Sequence, residues 1–339
     1  MQSGRAPKTG FARPLPAHRR DCYLGPPLDV SALNGWVATT DYDWYRFLAG
    51  RPEFDEVNFW QPSGRQAFHA IRPGEPFFFK LKAPHNAIAG FGLLAKHDIL
   101  PDWLAWEAFE QKNGAPDYDA FRRGFERYVP ADRRAVPGEH PLGCLMVAEP
   151  VFFPQAAWIA QPKDWSRNIV QGKRYDLSEG EGRRIWEDCL DRAKTFKPQF
   201  VREGDAPRFG APQVVRPRLG QGTFRVCVTE AYDRSCAITT EHSLPVLEAA
   251  HIRPYKDGGE HDVRNGLLLR TDIHRLFDRG FVTVRPDFRF EVSRELGDRW
   301  RNGRIYYELQ GREIRRPHDA AEHPDRALLS WHNEHVFLG

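Results

Sequence analysis

The first half of the chain alternates between short apolar runs bounded by Pro and Gly and longer stretches with apolar residues at helical spacing. Runs such as PFFFKLK, NAIAGFGLLAKHDIL and LGCLMVAEPVFF predict strands, because aromatic and β-branched side chains favour extended backbone. Asp41 and Asp102 each precede an aromatic-rich stretch and predict the starts of two helices. Ser178 and Glu181 have the spacing of a capping box ahead of an apolar stripe, which predicts a further helix. We therefore expect a mixed sheet, or a partly open barrel, with flanking helices.

In the second half, the predicted order changes to strand, loop, strand and helix. PVLEAAHI and NGLLLR predict the two strands, and TDIHRLFDRG predicts a helix that starts at Thr271 or Asp272 and stops at Gly280. FVTV and FRFEVS predict a hairpin after it. A stretch rich in Pro, Gly and Arg between the halves favours a linker over a regular element. The predicted fold class is α+β, with a disordered basic tail at 1–32, a first domain at 33–200, a linker at 201–221 and a second domain at 222–339.

The composition indicates a globular protein and bears on its expected cellular location. Hydrophobic residues make up 41% of the 339 residues and aromatic residues 13%, which is ample material for a packed core. The five cysteines include no Cys-x-x-Cys pair, so a disulfide framework and a four-cysteine zinc site are poorly supported, and a cytoplasmic location is expected. No apolar run is long enough to span a bilayer, and the basic first twenty residues lack the apolar core of a secretory signal. Because the net charge is only +3, charged partners must be recognised by local patches.

Four polar residues stand out on the strand-loop-strand-helix segment. His274 and Asp278 are four residues apart, so they share one face of the predicted helix and can hold one ion between them. His251 ends the first predicted strand, and Asn265 begins the second. A hairpin of these strands packed on the helix would bring the four side chains together. The alternative is a polar loop that has this composition by coincidence.

The spacing of His251, Asn265 and His274, within LEAAHI and NGLLLRTDIHRLFDRG, resembles the HNH nuclease family and in particular its restriction-type branch. The catalytic unit of that family is the ββα-metal fold, and the resemblance runs roughly from residue 222 to the C-terminus. It implies that His251 is the general base and that Asn265 orients this imidazole or holds the loop. It also implies that His274 and Asp278 bind one divalent ion at the scissile phosphate. Mg²⁺ or Mn²⁺ is the expected ion, with Ni²⁺ and Zn²⁺ as alternatives.

One position departs from the family pattern. Many members carry a metal-binding Asp or His directly before the base, where this chain has Ala250. Glu248, two residues earlier, has the chemistry of a ligand and is a candidate for the missing position. Basic residues around the site would neutralise the phosphates that flank the cut. The expected phosphate contacts are Arg253, Arg275 and Arg279.

Segments of the first domain, among them VATTDYDWYRFL and EVNFWQPSG, resemble the amino-terminal half of bacterial restriction endonucleases. Their predicted strand-helix order also resembles the PUA superfamily, which includes the EVE, ASCH and SRA modules. Several of those modules hold a modified base flipped out of duplex DNA, which requires aromatic walls and polar groups at the base edge. For any one aromatic residue of a strand, packing in the core is the alternative. The candidate pocket residues are Trp36, Trp44, Asn58, Phe59, Trp60 and Ser63.

These resemblances imply a metal-dependent DNA endonuclease of restriction type that leaves 5′-phosphate and 3′-hydroxyl ends, with selection of base-modified DNA as one option. The expected partner is double-stranded DNA, no membrane partner is expected, and a homodimer would supply the two active sites that cutting both strands requires. Two other functions stay open. One is a reader of modified nucleic acid that has lost catalysis, for which Ala250 is the clue. The other is a toxin-like HNH nuclease that cuts RNA.

Overall fold

The computed structural model describes residues 33–64, 67–197 and 219–339. The predicted tail at 1–32 and most of the predicted linker lie outside these residues. None of the helices in the described ranges is both long enough and apolar enough to cross a bilayer. The described residues form two parts, one with a seven-stranded sheet and one with two two-stranded sheets, and the parts meet along one shared helix.

The first part folds into a seven-stranded sheet with helices along its flanks. In chain order its elements are β1 (Asn34–Thr40), α1 (Tyr42–Ala49), β2 (Glu56–Gln61), β3 (Pro76–Leu81), β4 (Ala87–Pro101), α2 (Asp102–Phe109), α3 (Tyr118–Glu126), β5 (Pro141–Phe152), β6 (Ile159–Ala160), β7 (Gly172–Asp176) and α4 (Gly180–Phe196). The strand order is β2-β5-β4-β3-β1-β7, with β6 paired to β4. β1 and β3 run parallel, and the other neighbours run antiparallel. The predicted mixed sheet is confirmed, and in the described residues it stays open, with β2 and β7 at its edges.

The central strands carry apolar residues on both faces because helices or loops cover each face. Phe77 and Phe79 pack on one face together with Trp44 of α1. Phe78 points to the opposite face and packs in a cluster with Ile185 of α4. Successive side chains of a strand point to opposite faces, so a strand buried on both sides is apolar throughout. The apolar stripe predicted for α4 is therefore the surface that covers the sheet.

Helix caps are where the prediction and the structure of this part differ. The Asp41 carboxylate pairs with Lys82 at 2.6 Å and makes no side-chain cap at the start of α1. The predicted capping box of Ser178 and Glu181 is wrong, because the Ser178 hydroxyl donates to Asp176 and no side-chain cap forms at α4. In both places another side chain competes with the helix amides for the same polar group, and residue spacing does not reveal such competition.

The second part contains two antiparallel strands followed directly by a helix. In chain order its elements are α5 (Gln221–Ala231), β8 (Leu247–His251), β9 (Gly266–Arg270), α6 (Thr271–Asp278), β10 (Val282–Val284), β11 (Phe290–Val292), α7 (Arg294–Trp300), α8 (Arg304–Tyr307) and α9 (Arg326–His335). β8 and β9 pair with His251 opposite Gly266, and α6 begins at the residue after β9. This is the predicted ββα order, and the predicted hairpin after it is confirmed as the β10–β11 pair.

Helix α6, which carries two of the candidate residues, begins and ends near its predicted limits. Its cap residue is Arg270, one position before Thr271, and the Asp272 carboxylate pairs with the Arg270 guanidinium at 2.6 Å instead of capping the helix. Gly280 has φ +75° just after the helix, and a Cβ there would lie 2.0 Å from the carbonyl oxygen of Val336. Gly280 is therefore required both by its left-handed backbone and by the close approach of the C-terminal segment.

Helix α5 belongs to the hydrophobic cores of both parts. Phe224 and Val228 on one face pack in the core of the second part. Val226 on the other side is buried in a cluster with residues of α2, α3 and β5. Arg225 extends this contact by pairing with Glu107 of α2 at 2.8 Å. Since one rigid helix is packed into both cores, it holds the ββα segment against the sheet of the first part.

Candidate active site

Three of the predicted residues line a cleft between the two parts of the chain. The cleft has a volume of about 420 Å³, and the ββα segment contributes Glu248, His251 and His274 to its walls. α5 contributes Phe224, and the first part contributes the facing wall, which includes Lys112. The antiparallel pairing of β8 with β9, followed at once by α6, therefore brings residues from a strand end and a helix face to one surface.

The His251 imidazole is half-buried and is held by two rings. It stacks on Phe224, with ring centroids 4.0 Å apart and planes inclined by 15°. Its Nε2 lies 2.9 Å from Nδ1 of His261, so one imidazole donates a hydrogen bond to the other. Burial, followed by the neighbouring His261 and His274 rings, lowers the pKa of His251 from 6.5 to about 4. The imidazole is therefore neutral near pH 7 and has a lone pair available for a proton.

His261 is a member of the site that the sequence analysis did not single out. Besides its contact with His251, its ring stacks on Tyr255 with centroids 5.0 Å apart and planes inclined by 7°. Burial also lowers the pKa of His261. The two histidines are ten residues apart across a loop, and no regular spacing relates them. The available signal was the presence of two imidazoles in one short polar loop.

The Asn265 side chain holds the loop between β8 and β9. It is buried, and its Oδ1 accepts a hydrogen bond from the Arg253 backbone N–H at 2.9 Å. Its Nδ2 donates to the backbone carbonyls of Arg253 and Glu260, each at 2.9 Å. These contacts match the second of the two predicted roles, holding the loop. The loop begins directly after His251. By fixing the loop backbone, Asn265 therefore helps to fix the end of β8, where His251 lies.

The His274 imidazole lies between two carboxylates. Its Nδ1 is 2.7 Å from Oε2 of Glu248, and its Nε2 is 3.4 Å from Oδ2 of Asp278. When Glu248 accepts the Nδ1 proton, the lone pair of Nε2 faces Asp278. Two donors that each lie about 2.1 Å from one ion at tetrahedral or octahedral angles are about 3 to 3.4 Å apart. The separation of Nε2 and Oδ2 therefore fits a shared divalent ion.

Few protein ligands surround this pair. Within the ranges that the structure describes, no group of three or more His, Cys, Asp or Glu side chains is placed to hold a metal ion. Ala250 is fully buried and offers no ligand, and Glu248 contacts the far nitrogen of His274. An ion at His274 and Asp278 would take its remaining ligands from water and phosphate, as Mg²⁺ commonly does.

The segment that carries these residues matches a known protein family. Residues 236–285 match the family model of the HNH endonucleases. The chain therefore carries an HNH endonuclease domain. The match spans β8, β9, α6 and β10, which confirms the resemblance that the sequence motifs indicated. HNH nucleases generally use a divalent metal ion, and an endonuclease of this family implies DNA as the substrate.

Other similarities are low. No curated protein sequence matches the chain significantly. The crystal structure of the ASCH protein from Zymomonas mobilis is 12% identical over 44% of this chain and 94% of its own, with a TM-score of 0.29. A mutant form of the same protein is 13% identical over 44% of this chain and 96% of its own, with a TM-score of 0.30. The modification-dependent restriction endonuclease TagI is 13% identical over 83% of this chain and 75% of its own, with a TM-score of 0.27.

The three arginines predicted to contact phosphate near the HNH motif differ in their surroundings. Arg275 is exposed on α6, the helix that carries His274, and Arg279 is exposed directly after the last residue of that helix. Arg253 is turned toward the protein, because its Nε donates to the Asp257 carbonyl at 2.7 Å and its guanidinium lies 5.2 Å from the centre of the Trp331 ring. Arg253 would have to give up these contacts to reach a phosphate.

Two of the six residues predicted to read a base lie together in the first part. Trp44 and Trp60 line a cleft of about 510 Å³ between α1 and α3, together with Phe47 and the exposed Arg123. Among the described residues, Nε1 of Trp44 is buried without a hydrogen-bond partner, whereas Nε1 of Trp60 donates to the Asn113 carbonyl at 3.0 Å. The cleft therefore offers aromatic surface and a cation, whereas the Nε1 donor of Trp44 is enclosed by the protein.

The other four predicted pocket residues are separated from one another. Asn58 is fully buried and donates from Nδ2 to Oδ1 of Asn113 at 2.8 Å. Phe59, the next residue of β2, packs at the other face of the sheet. Trp36 is partly exposed on β1, and Ser63 is exposed after β2. The structure does not bring all six into one pocket, since successive residues of a strand face opposite sides of the sheet.

Proposed function

We propose that this protein is a metal-dependent DNA endonuclease of restriction type. The observation that carries the proposal is the geometry of the cleft, where His251 and His274 line one surface and Asp278 lies beside His274. A neutral imidazole and a two-donor ion site on one surface are the groups that phosphodiester hydrolysis needs. Their position within an HNH endonuclease domain supports the same chemistry.

In this proposal His251 activates the attacking water. Nε2–H of His251 donates to Nδ1 of His261, which leaves Nδ1 of His251 to accept the water proton as the oxygen attacks phosphorus. The bond from phosphorus to the 3′ oxygen breaks, the water oxygen stays on the 5′-phosphate, and the 3′ oxygen takes up a proton from solvent. A divalent ion held by His274 and Asp278, Mg²⁺ or Mn²⁺, would stabilise the developing negative charge. Glu248 keeps His274 in the tautomer that presents Nε2.

In the same proposal the first part of the chain selects the DNA. We retain the division into a PUA-like recognition domain at 33–200 and a nuclease domain at 222–339, because each part of the chain has core residues of its own outside α5. The cleft between α1 and α3 supplies Trp44 and Trp60 as surfaces for an unstacked base and Arg123 for a phosphate. Recognition of a modified base at this cleft would make cleavage depend on modification.

Cleavage of supercoiled plasmid with Mg²⁺ or Mn²⁺ tests the catalytic part of the proposal. The wild-type protein is expected to nick or linearise the plasmid, and chelation of the ion is expected to stop it. The matched variant is His251→Ala, which removes the base and should lose this activity. Equal cleavage by both proteins would refute the role of His251. DNA binding without cleavage of any substrate would favour the alternative of a non-cleaving reader.

Matched DNAs that differ only in modification test the recognition part. The series is unmodified, methylated, hydroxymethylated, glucosylated and phosphorothioated DNA, each cleaved at the same protein concentration. Trp60→Ala removes aromatic surface from the recognition cleft, so it should reduce the preference among these substrates. Equal cleavage of the whole series by the wild-type protein would refute dependence on modification and would leave the endonuclease proposal intact. Preferential cleavage of RNA would favour the toxin-like alternative.

Cutting both strands of a duplex requires two active sites, so we propose that the protein acts as a homodimer. Light scattering in the presence and absence of DNA measures the oligomeric state. If the protein linearises plasmid and yet remains a strict monomer both with and without DNA, this part of the proposal is refuted.

A further inference from the structure

The buried carboxylate of Glu56, in edge strand β2, connects the first part of the chain to the proposed general base. We propose that Glu56 is a positioning residue for His251 and acts through helix α5. The inference rests on the proposed role of His251 in cleavage. It assigns a contribution to catalysis to a residue that lies far outside the HNH segment in sequence.

Glu56 caps the start of α5 from the neighbouring sheet. The side chain is fully buried, and Oε1 accepts a hydrogen bond from the Gly222 backbone N–H at 2.7 Å. Oε2 accepts from the Thr223 backbone N–H at 3.0 Å and from the Thr223 hydroxyl at 2.5 Å. Lys112 lies 3.1 Å from Oε1 and balances the buried charge. The first amides of a helix have no partner within the helix, so a carboxylate at this end satisfies them and is favoured by the helix dipole.

Two glycines allow this approach between α5 and the first part. A Cβ at Gly220 would lie 2.2 Å from Cδ of Glu56, and a Cβ at Gly222 would lie 2.5 Å from the carbonyl oxygen of Ala108 in α2. The residue in the cap position is Gly220, which has no side chain to bind the amides itself. Helices are usually capped by a Ser, Thr, Asp or Asn at that position. Here the acceptor comes instead from a residue 166 positions earlier in the sequence.

Helix α5 carries this constraint to the imidazole. Phe224 follows Thr223 in the first turn of the helix, and its backbone N–H donates to the Gly220 carbonyl at 2.9 Å. The Phe224 side chain is buried, and its ring is the surface on which His251 stacks. A shift at the start of α5 would move this ring and, with it, one wall of the His251 site. Close-packed interiors transmit such shifts because few voids exist to absorb them.

Replacement of Glu56 by glutamine in the full chain tests the inference. Glutamine keeps the size of the side chain, but one of its two polar atoms is a donor, so it cannot accept from both Gly222 and Thr223. We expect the single-turnover rate at saturating protein to fall about 10- to 100-fold, because a small misplacement of a catalytic group has an effect of this size. The protein concentration at half-saturation should change less than about twofold, since the DNA contacts stay in place.

Glu75→Gln is the matched control. Glu75 is also a buried carboxylate of the first part and accepts from two backbone amides, that of Asn34 at 3.1 Å and that of Arg72 at 2.6 Å. Its partners lie in β1 and in the loop before β3. Glu75→Gln should therefore lower the unfolding temperature but keep the cleavage rate. Equal losses of rate in the two variants would indicate a general effect on stability and would overturn the inference.

A double-mutant cycle tests the route through the aromatic ring. If Glu56 acts through Phe224, Glu56→Gln should lower the cleavage rate much less in a Phe224→Leu protein than in the wild-type protein. Losses that multiply independently would overturn this route. Thr223→Val removes only the hydroxyl donor and should cause a smaller loss of the same kind, so it provides the test if Glu56→Gln does not fold.

The imidazole nitrogen resonances of His251 provide a measurement that does not depend on cleavage. They should shift in Glu56→Gln and stay unchanged in Glu75→Gln, because only the first change reaches the Phe224 ring. Unchanged resonances in both variants would overturn the inference even if no DNA is cut. A wild-type protein that cuts no DNA would refute the proposed function, whereas an active wild-type protein with a fully active Glu56→Gln variant would refute only this inference.

Discussion

The lowered pKa of His251 predicts that cleavage stays fast in mildly acidic solution. In the folded protein this imidazole takes up a proton near pH 4 instead of 6.5, mainly because burial disfavours the charged form. A change from about pH 7.5 to about pH 5.5 therefore leaves the proposed base neutral, and a neutral imidazole is the form that accepts a proton from water. An ordinary, solvated histidine would be mostly protonated at the lower pH.

The expected rates follow from the fraction of neutral imidazole. With a pKa of about 4, about 97% of His251 is neutral at pH 5.5, and nearly all of it is neutral at pH 7.5. With the ordinary pKa of 6.5, only about 9% would be neutral at pH 5.5 and about 91% at pH 7.5. The ratio of cleavage rates between the two pH values should thus be close to one, whereas an unperturbed base would give a ratio of about ten.

The assay is single-turnover cleavage of supercoiled plasmid at saturating protein. At each pH the divalent ion must also be saturating, so that weaker ion binding in acid does not enter the measured rate. His261→Asn removes a neighbouring imidazole that helps to lower the pKa of His251, so the acid limb of this variant should move to higher pH. A loss of about tenfold in the wild-type rate between the two pH values would refute the role of burial in keeping this base neutral.

Three further predictions concern the residues around the base. Glu248→Gln is expected to raise the ion concentration needed for half-maximal cleavage about 10- to 100-fold, because Glu248 orients the proposed ligand His274. Asn265→Ala removes the three hydrogen bonds of a buried side chain and should lower the free energy of unfolding by about 2 to 4 kcal/mol, as measured with urea. Arg275→Ala and Arg279→Ala should each reduce by about one unit the slope of the logarithm of the DNA-binding constant against the logarithm of salt concentration.

Each of these predictions has an outcome that contradicts it. A Glu248→Gln protein with unchanged ion dependence would show that the contact with His274 does not support ion binding. Wild-type stability of Asn265→Ala would mean that water replaces the lost hydrogen bonds at no cost. Salt slopes that are unchanged at Arg275 and Arg279 but reduced at Arg253 would reverse the assignment of phosphate contacts.

Local sequence patterns predicted the frame of the active site well, because that frame is built from neighbouring elements. His251 lies at the end of β8 as expected, and α6 follows β9 directly, so residues four apart on one helix meet across a single turn. Gly280 marked the end of α6 because only a residue without a side chain fits there. These features depend on short-range geometry, which the order of residues expresses directly.

Contacts between distant segments were not predictable in the same way. Asn58 and Phe59 looked equally suitable for a base pocket, yet they face opposite sides of β2, and each contacts elements that lie elsewhere in the chain. The contact between His251 and His261 depends on how a polar loop folds back over its own strand. The capping of α5 by Glu56 joins residues 166 positions apart. No periodicity or motif encodes such pairings, and they depend on the packing of the whole chain.

The position of α5 determines how recognition and cleavage can influence each other. A division of the chain before residue 222 assigns this helix to the nuclease domain, but Val226 is buried in the core of the first part and the start of the helix is capped from β2. β2 also carries Trp60, which lines the proposed recognition cleft four residues after Glu56. DNA bound at that cleft would contact the strand that also carries Glu56. Coupling between the sites would then need only a small change within one packed unit, since a shift of β2 has a direct structural route to His251.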